Sequence, residues 1–194
     1  LSLHDALPIL LIGIAIAMVV SFALTFFFWK DEADETDAIQ KKSGKEIVKT
    51  PIQGQIAPLN AAKDAAFAQG TLGRGILIYP EKGEVRAPFD GTVMTLFPTK
   101  HAIGMVSETG LELLIHVGLD TVQLEGKYFE SLVQQGERVK QGDLLLRFDK
   151  KKIEKEGYSL ETPVIVTNYT NYLDILENQG ETVGPDDALI TALT

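Results

Sequence analysis

A chain of 194 residues has room for one domain plus an appendage, since domains usually run to roughly 100–200 residues. Its formal charge of −9 comes without a basic cluster, which argues against nucleic acid and suits a basic protein partner instead. With no cysteine the chain holds no disulfide framework and no intrinsic thiol chemistry.

Residues 10–29 carry no charge and match the length of about 20 residues that spans a hydrocarbon core as a helix. Phe26, Phe27, Phe28 and Trp29 close the run where an interfacial aromatic belt would lie. A transmembrane helix is expected rather than a cleaved signal peptide. No basic segment precedes the run, and no small-residue cleavage site follows it. Residues 1–9 start abruptly, so the chain reads as the C-terminal fragment of something longer. Lys30, Lys41, Lys42 and Lys45 follow the span and no Lys or Arg precedes it, placing the next domain on the cytoplasmic side. Residues 30–50 are charged and nearly free of large apolar groups, the composition of a flexible linker.

From Pro51 to the C-terminus short β-favouring runs alternate with Gly, Pro and Asp. Strands are predicted at 75–79, 91–97, 111–117, 143–148 and 162–167, an all-β pattern of antiparallel sandwich or partly closed barrel. Short helices are predicted at 150–156 and 171–178, and a helical turn within 128–134. Residues 87–93 and 135–143 echo one another as glycine-punctuated entries into strands. The second contains Gly136, Val139 and Gly142 at the spacing also found in biotin and lipoyl carrier domains.

Besides His4, the chain has only His101 and His116, both in β-rich, glycine-bounded segments that a hairpin would bring together. In the strand at 111–117, alternation puts Leu111, Leu113, Ile115 and Val117 on one apolar face. His116 falls on the other face with Glu112, Leu114 and Gly118, uncovered for something to approach. His101 follows a turn at Pro98, and the Thr99 hydroxyl is placed to bond its ring and fix a tautomer. The apolar run Ala65, Ala66, Phe67, Ala68 and then Leu72 lies in a glycine-flanked loop, either as a buried anchor or as a docking patch.

These residues resemble the glucose-type EIIA domain of the bacterial phosphoenolpyruvate-dependent sugar phosphotransferase system. The likeness runs through residues 87–93, 99–102, 112–124, 136–143 and 162–168, and the block around His116 is its most specific part. The resemblance implies that His116 is phosphorylated, with His101 supporting the phosphoryl group and Thr99 in its hydrogen-bond network. It puts an apolar ring on Phe67, Leu72, Phe97, Leu114 and Val122, although Leu114 stands where an aromatic is often found and Gln123 where an acid can occur. The donor it implies is HPr, and the acceptor a cysteine of an EIIB domain, which must lie upstream or on another chain. The helix at 10–29 resembles the last span of an EIIC permease domain. Residues 1–29, 30–50 and 51–194 would then be span, linker and EIIA domain of a fused membrane permease, with β-glucoside systems a plausible home. No cofactor is expected beyond the phosphoryl group itself.

In that setting Gly118 lets the backbone come close, and N–H groups after it would hold phosphoryl oxygens. Asp120 would pair with a basic residue of the donor. A collar of Phe67, Leu72, Phe97 and Val122 would exclude water from a labile phosphohistidine and give partners an apolar surface.

Two rival readings use the same residues. A LytM-type zinc peptidase needs about three protein ligands and an open position, and it uses a His-x-His pair where this chain has Leu114 and Gly118 beside His116. A biotin or lipoyl carrier needs a hairpin-tip lysine flanked by Met, whereas Lys100 has Thr99 and His101. A milder addition is zinc held by His101 and His116 with a partner's carboxylate.

Overall fold

The computed structural model describes residues 44–194. The main sheet has eight strands in the order β13 (Thr182–Val183), β2 (Gly54–Pro58), β3 (Arg74–Pro80), β11 (Thr162–Val166), β7 (Glu112–His116), β6 (Ala102–Ser107), β5 (Gly91–Leu96) and β9 (Arg138–Val139). Two three-stranded sheets accompany it, β1 (Lys45–Lys49) with β14 (Ala188–Leu193) and β12 (Asp174–Glu177), and β4 (Glu84–Arg86) with β10 (Leu144–Phe148) and β8 (Phe129–Ser131). Every pairing is antiparallel, the all-β architecture that the sequence predicts.

One apolar cluster joins the three sheets. Val48 and Ile190 come from the first small sheet, Val85 and Leu145 from the second, and Ile76, Ile103, Ile115 and Val164 from the main sheet. In register, Val164 faces Ile76 on one side and Ile115 on the other, so the inward residues of β3, β11 and β7 form one row.

Three local predictions are corrected. Residues 45–49, expected at the end of the linker, form β1. Val48 is fully buried, and the strand zips against the C-terminal strand from Lys45 opposite Leu193 to Lys49 opposite Ala188. The Thr194 N–H donates to the Gly44 carbonyl at 3.0 Å, closing the same seam. The helix expected at 171–178 is instead a 3-10 turn, Tyr169–Asn171, followed by β12, which lies along β14 with Ile175 facing Ala192 in the core. The helical turn expected within 128–134 is β8, where Phe129 is buried opposite Phe148.

The helix predicted at 150–156 is present as Lys150–Lys155, with Asp149 Oδ1 accepting the Lys152 N–H at 3.1 Å. The apolar run at 10–29 and the linker as far as residue 43 lie outside the described residues. Among the described residues no helix is long and apolar enough to cross a membrane.

Candidate active site

Alternation along β7 sends Leu113 and Ile115 into the main core and leaves Glu112, Leu114 and His116 half-buried on the opposite face. That face is partly roofed. Leu77 of β3 and Ile165 of β11 join Leu59, Ala62 and Phe67 in a second, smaller cluster, with Leu72, Leu114 and Leu119 packed against it. The roof is the 3-10 turn Leu59–Ala61 and the helix α1 (Ala65–Ala68). Asp64 starts α1 as its cap, its Oδ1 accepting from the N–H groups of Ala66 at 2.8 Å and Phe67 at 3.4 Å. Phe67, only 8% exposed, is thus a core residue of this cluster rather than an open docking patch. Its ring still reaches His116, with centroids 5.2 Å apart.

His101 arrives from the other side, on the connection between β5 and β6. The β5 register shifts between Val93 and Thr95, and Lys100 takes a left-handed φ of 57°. The Phe97 N–H bonds the Ala102 carbonyl at 3.2 Å, and the Lys100 N–H bonds the Phe97 carbonyl at 2.7 Å. Ala102 lies opposite His116, and the Val117 N–H donates to the His101 carbonyl at 2.7 Å. This register leaves the two imidazoles edge to face at 84°, centroids 4.8 Å apart, with the Phe97 ring 5.5 Å from His101.

Hydrogen bonds define which atoms remain for chemistry. The Gly118 carbonyl lies 2.8 Å from Nδ1 of His116 and can only accept, so that nitrogen carries the proton and Nε2 carries the lone pair. On His101, Nδ1 is 2.6 Å from the Thr99 hydroxyl, which leaves its Nε2 as the outward atom. Burial pushes the His101 pKa down to about 3, with the neighbouring His116 adding to the fall; His101 is 1% exposed. Burial also lowers the pKa of His116, opposed in part by its bond to Gly118 and by the charges of Asp64 and Asp120. Both rings are neutral at pH 7.

Gly118 has a φ of 77°, and a Cβ there would meet Thr121 Cγ2 at 2.6 Å and the Ser159 carbonyl oxygen at 2.7 Å. The turn is further held by the buried Thr121 hydroxyl, which donates to the Val117 carbonyl at 2.6 Å. One sequence expectation changes here. The Leu119 N–H, expected to be available for phosphoryl oxygens, donates to the Ser159 carbonyl at 3.0 Å.

The structure thus gathers His101, His116, Thr99, the Gly118 carbonyl, Phe67 and Phe97 into one site, with Leu72 and Leu114 in the cluster beneath Phe67. Asp120 is exposed and acts on His116 through its charge. Val122 is half-buried on the 3-10 turn Thr121–Leu124, the turn that follows Gly118. Asp64 was not foreseen, although an Asp immediately before an apolar run is a helix-start signal. Among the described residues no group of three or more His, Cys, Asp or Glu is placed to hold a metal ion, whereas a hydrolytic zinc centre needs about three protein ligands.

The described residues thus hold a two-histidine site on an antiparallel β scaffold, with one imidazole oriented by a backbone carbonyl. Residues 46–172 match the family model of the phosphoenolpyruvate-dependent sugar phosphotransferase system, EIIA 1, and the chain belongs to that family. EIIA components are phosphotransferases. The chain is 40% identical over 181 residues to the β-glucoside-specific EIIBCA component of Bacillus subtilis (strain 168), covering 93% of this chain and 30% of that protein. It is 44% identical over 162 residues to the β-glucoside-specific EIIBCA component of Halalkalibacterium halodurans, covering 82% of this chain and 26% of the relative. It therefore spans less than a third of the length of these curated relatives. Among solved structures it is similar to glucose permease IIA from Mycoplasma capricolum, at a TM-score of 0.70 and 36% identity, over 76% of this chain and 96% of the other.

Proposed function

We propose that this domain takes a phosphoryl group from phospho-HPr on Nε2 of His116 and passes it to a cysteine of an EIIB domain, for sugar uptake with phosphorylation. The observation that carries this reading is the bond from Nδ1 of His116 to the Gly118 carbonyl, which aims one neutral nitrogen lone pair outward. Phosphoryl transfer is mostly positioning and charge stabilisation around an in-line displacement. The Nε2–P bond forms as the bond from phosphorus to the donor atom breaks, and that electron pair leaves with the donor. The proton stays on Nδ1, still donated to the Gly118 carbonyl, so the phosphorylated ring keeps its orientation. When Thr99 donates to Nδ1 of His101, Nε2 of His101 carries the hydrogen that is offered to a phosphoryl oxygen.

The same reading places the domain on the cytoplasmic side of a membrane-bound permease, with EIIB and EIIC domains as partners. Support comes from the fused EIIBCA relatives and from the uncharged run at residues 10–29. Asp120 and Asp64, whose charges both act on His116, suit a donor surface that is basic. Phe97 and Val122, each half-buried, supply apolar contact.

The test is to incubate the chain with phosphoenolpyruvate, Enzyme I and HPr and to map acid-labile phosphate. His116→Ala is expected to take no label. His101→Ala is expected to accept phosphate and pass it on poorly. Full labelling of His116→Ala would overturn the assignment.

A further inference from the structure

Residues 159–161, the approach to β11, touch both walls of the histidine pair. On one side the Ser159 carbonyl accepts the Leu119 N–H at 3.0 Å, beside the glycine whose own carbonyl orients His116. On the other side the Glu161 carboxylate accepts the Lys63 N–H at 3.1 Å through Oε2 and pairs with Lys63 Nζ at 2.7 Å through Oε1. Lys63 directly precedes Asp64, the cap of α1, and α1 carries Phe67 onto His116.

The Glu161 side chain is 3% exposed while that of Lys63 is 75% exposed. An ion pair whose ammonium end is in water contributes little on its own. A buried carboxylate bound to a backbone N–H, in contrast, fixes where that stretch of chain runs. Glu161 is itself held by its N–H to the Ser159 hydroxyl at 3.3 Å. Burial pushes its carboxyl pKa up, but the hydrogen bonds from the Lys63 side chain and N–H, the Lys63 charge and Ser159 outweigh this and hold it below the ordinary value. The ionised carboxylate is therefore the favoured form.

We propose that Glu161 is a positioning residue of the phosphotransfer site, which through the Lys63 N–H sets the loop that seats Asp64 and Phe67 against His116. The inference rests on His116 being the phosphoryl acceptor, so it is read in two ways on the full chain: transfer from phospho-HPr, and the ring resonances of unphosphorylated His116. Glu161→Ala and Glu161→Leu remove the acceptor for the N–H. They are expected to lower kcat/KM by about tenfold and to shift the His116 ring signals. Glu161→Gln keeps an acceptor oxygen, and Lys63→Ala keeps the N–H while losing only the ammonium. Both are expected within about twofold of wild type, with His116 signals unmoved.

Glu161→Leu keeps the space filled, so it remains informative where Glu161→Ala does not fold. Wild-type rates and unshifted His116 signals in Glu161→Leu would overturn the proposal. So would a loss in Lys63→Ala as large as that in Glu161→Leu, since the ion pair would then be the whole effect. Absence of label on the wild-type protein would instead strike the acceptor assignment, leaving the ring resonances to decide the role of Glu161.

Discussion

His101 and His116 meet edge to face, centroids 4.8 Å apart, with the first ring almost wholly buried and the second half-buried. Burial keeps both uncharged, with a consequence for stability. The folded pKa of His101 is about 3, below the ordinary value of 6.5, so the unfolded chain takes up its proton first as the pH falls. The stabilisation is fully present above pH 6.5 and is lost progressively from there toward about pH 3. The slope approaches about 1.4 kcal/mol per pH unit for this ring. Urea unfolding at neutral and mildly acidic pH checks this. Wild type is expected to lose more stability on acidification than His101→Gln, and equal losses would show that His101 is not held neutral.

Gly118→Ala places a side chain where the backbone has φ 77° and two neighbours stand closer than 3 Å. A loss of about 1–3 kcal/mol is expected from the backbone strain alone. The same change moves the carbonyl that orients His116, so labelling from phospho-HPr is expected to slow more than the fall in melting temperature accounts for. Thermal melts and initial rates on one preparation separate the two effects.

Phe67→Ala empties a site in the second cluster and is expected to cost about 3 kcal/mol. Because the Phe67 ring also lies 5.2 Å from His116, the phosphorylated domain is expected to lose its phosphate to water faster. The decay of label after removing the donor measures this directly. An unchanged half-life would show that Phe67 does not shield the site.

Asp120→Asn removes an exposed negative charge that acts on His116 without removing any buried contact. Its expected signature is a raised KM for phospho-HPr with kcat little altered, and a weaker dependence of the rate on salt. A change in kcat alone would show that the Asp120 charge serves the transfer step at His116 and not the capture of the donor.

Sequence pattern carried much of this, unevenly. β7 was legible because its apolar residues alternate with period two and both its faces have distinct tasks, one packed and one bearing His116. β12 was not. Tyr172, Leu173, Ile175 and Leu176 are spaced as well for a helix as for a strand, and the choice is made by pairing with β14. β1 was hidden for the same reason, since only Ile47 and Val48 interrupt a charged run and their partner strand is at the other end of the domain. In the site, Thr99, His101 and His116 lie close enough along the chain for local spacing to reveal them. Phe67 reads only as an apolar residue until Leu77 and Ile165 are folded beneath it. The link from Lys63 to Glu161 spans 98 residues, and no short-range pattern encodes it.

The seam between β1 and β14 joins the entry and exit of the folded body at one corner. Polypeptide attached at either end therefore departs from the same spot and leaves the histidine sheet's ladder untouched. Ends that meet in this way suit a unit appended to a host at either extremity, or one whose ends are bridged and reopened in a surface loop.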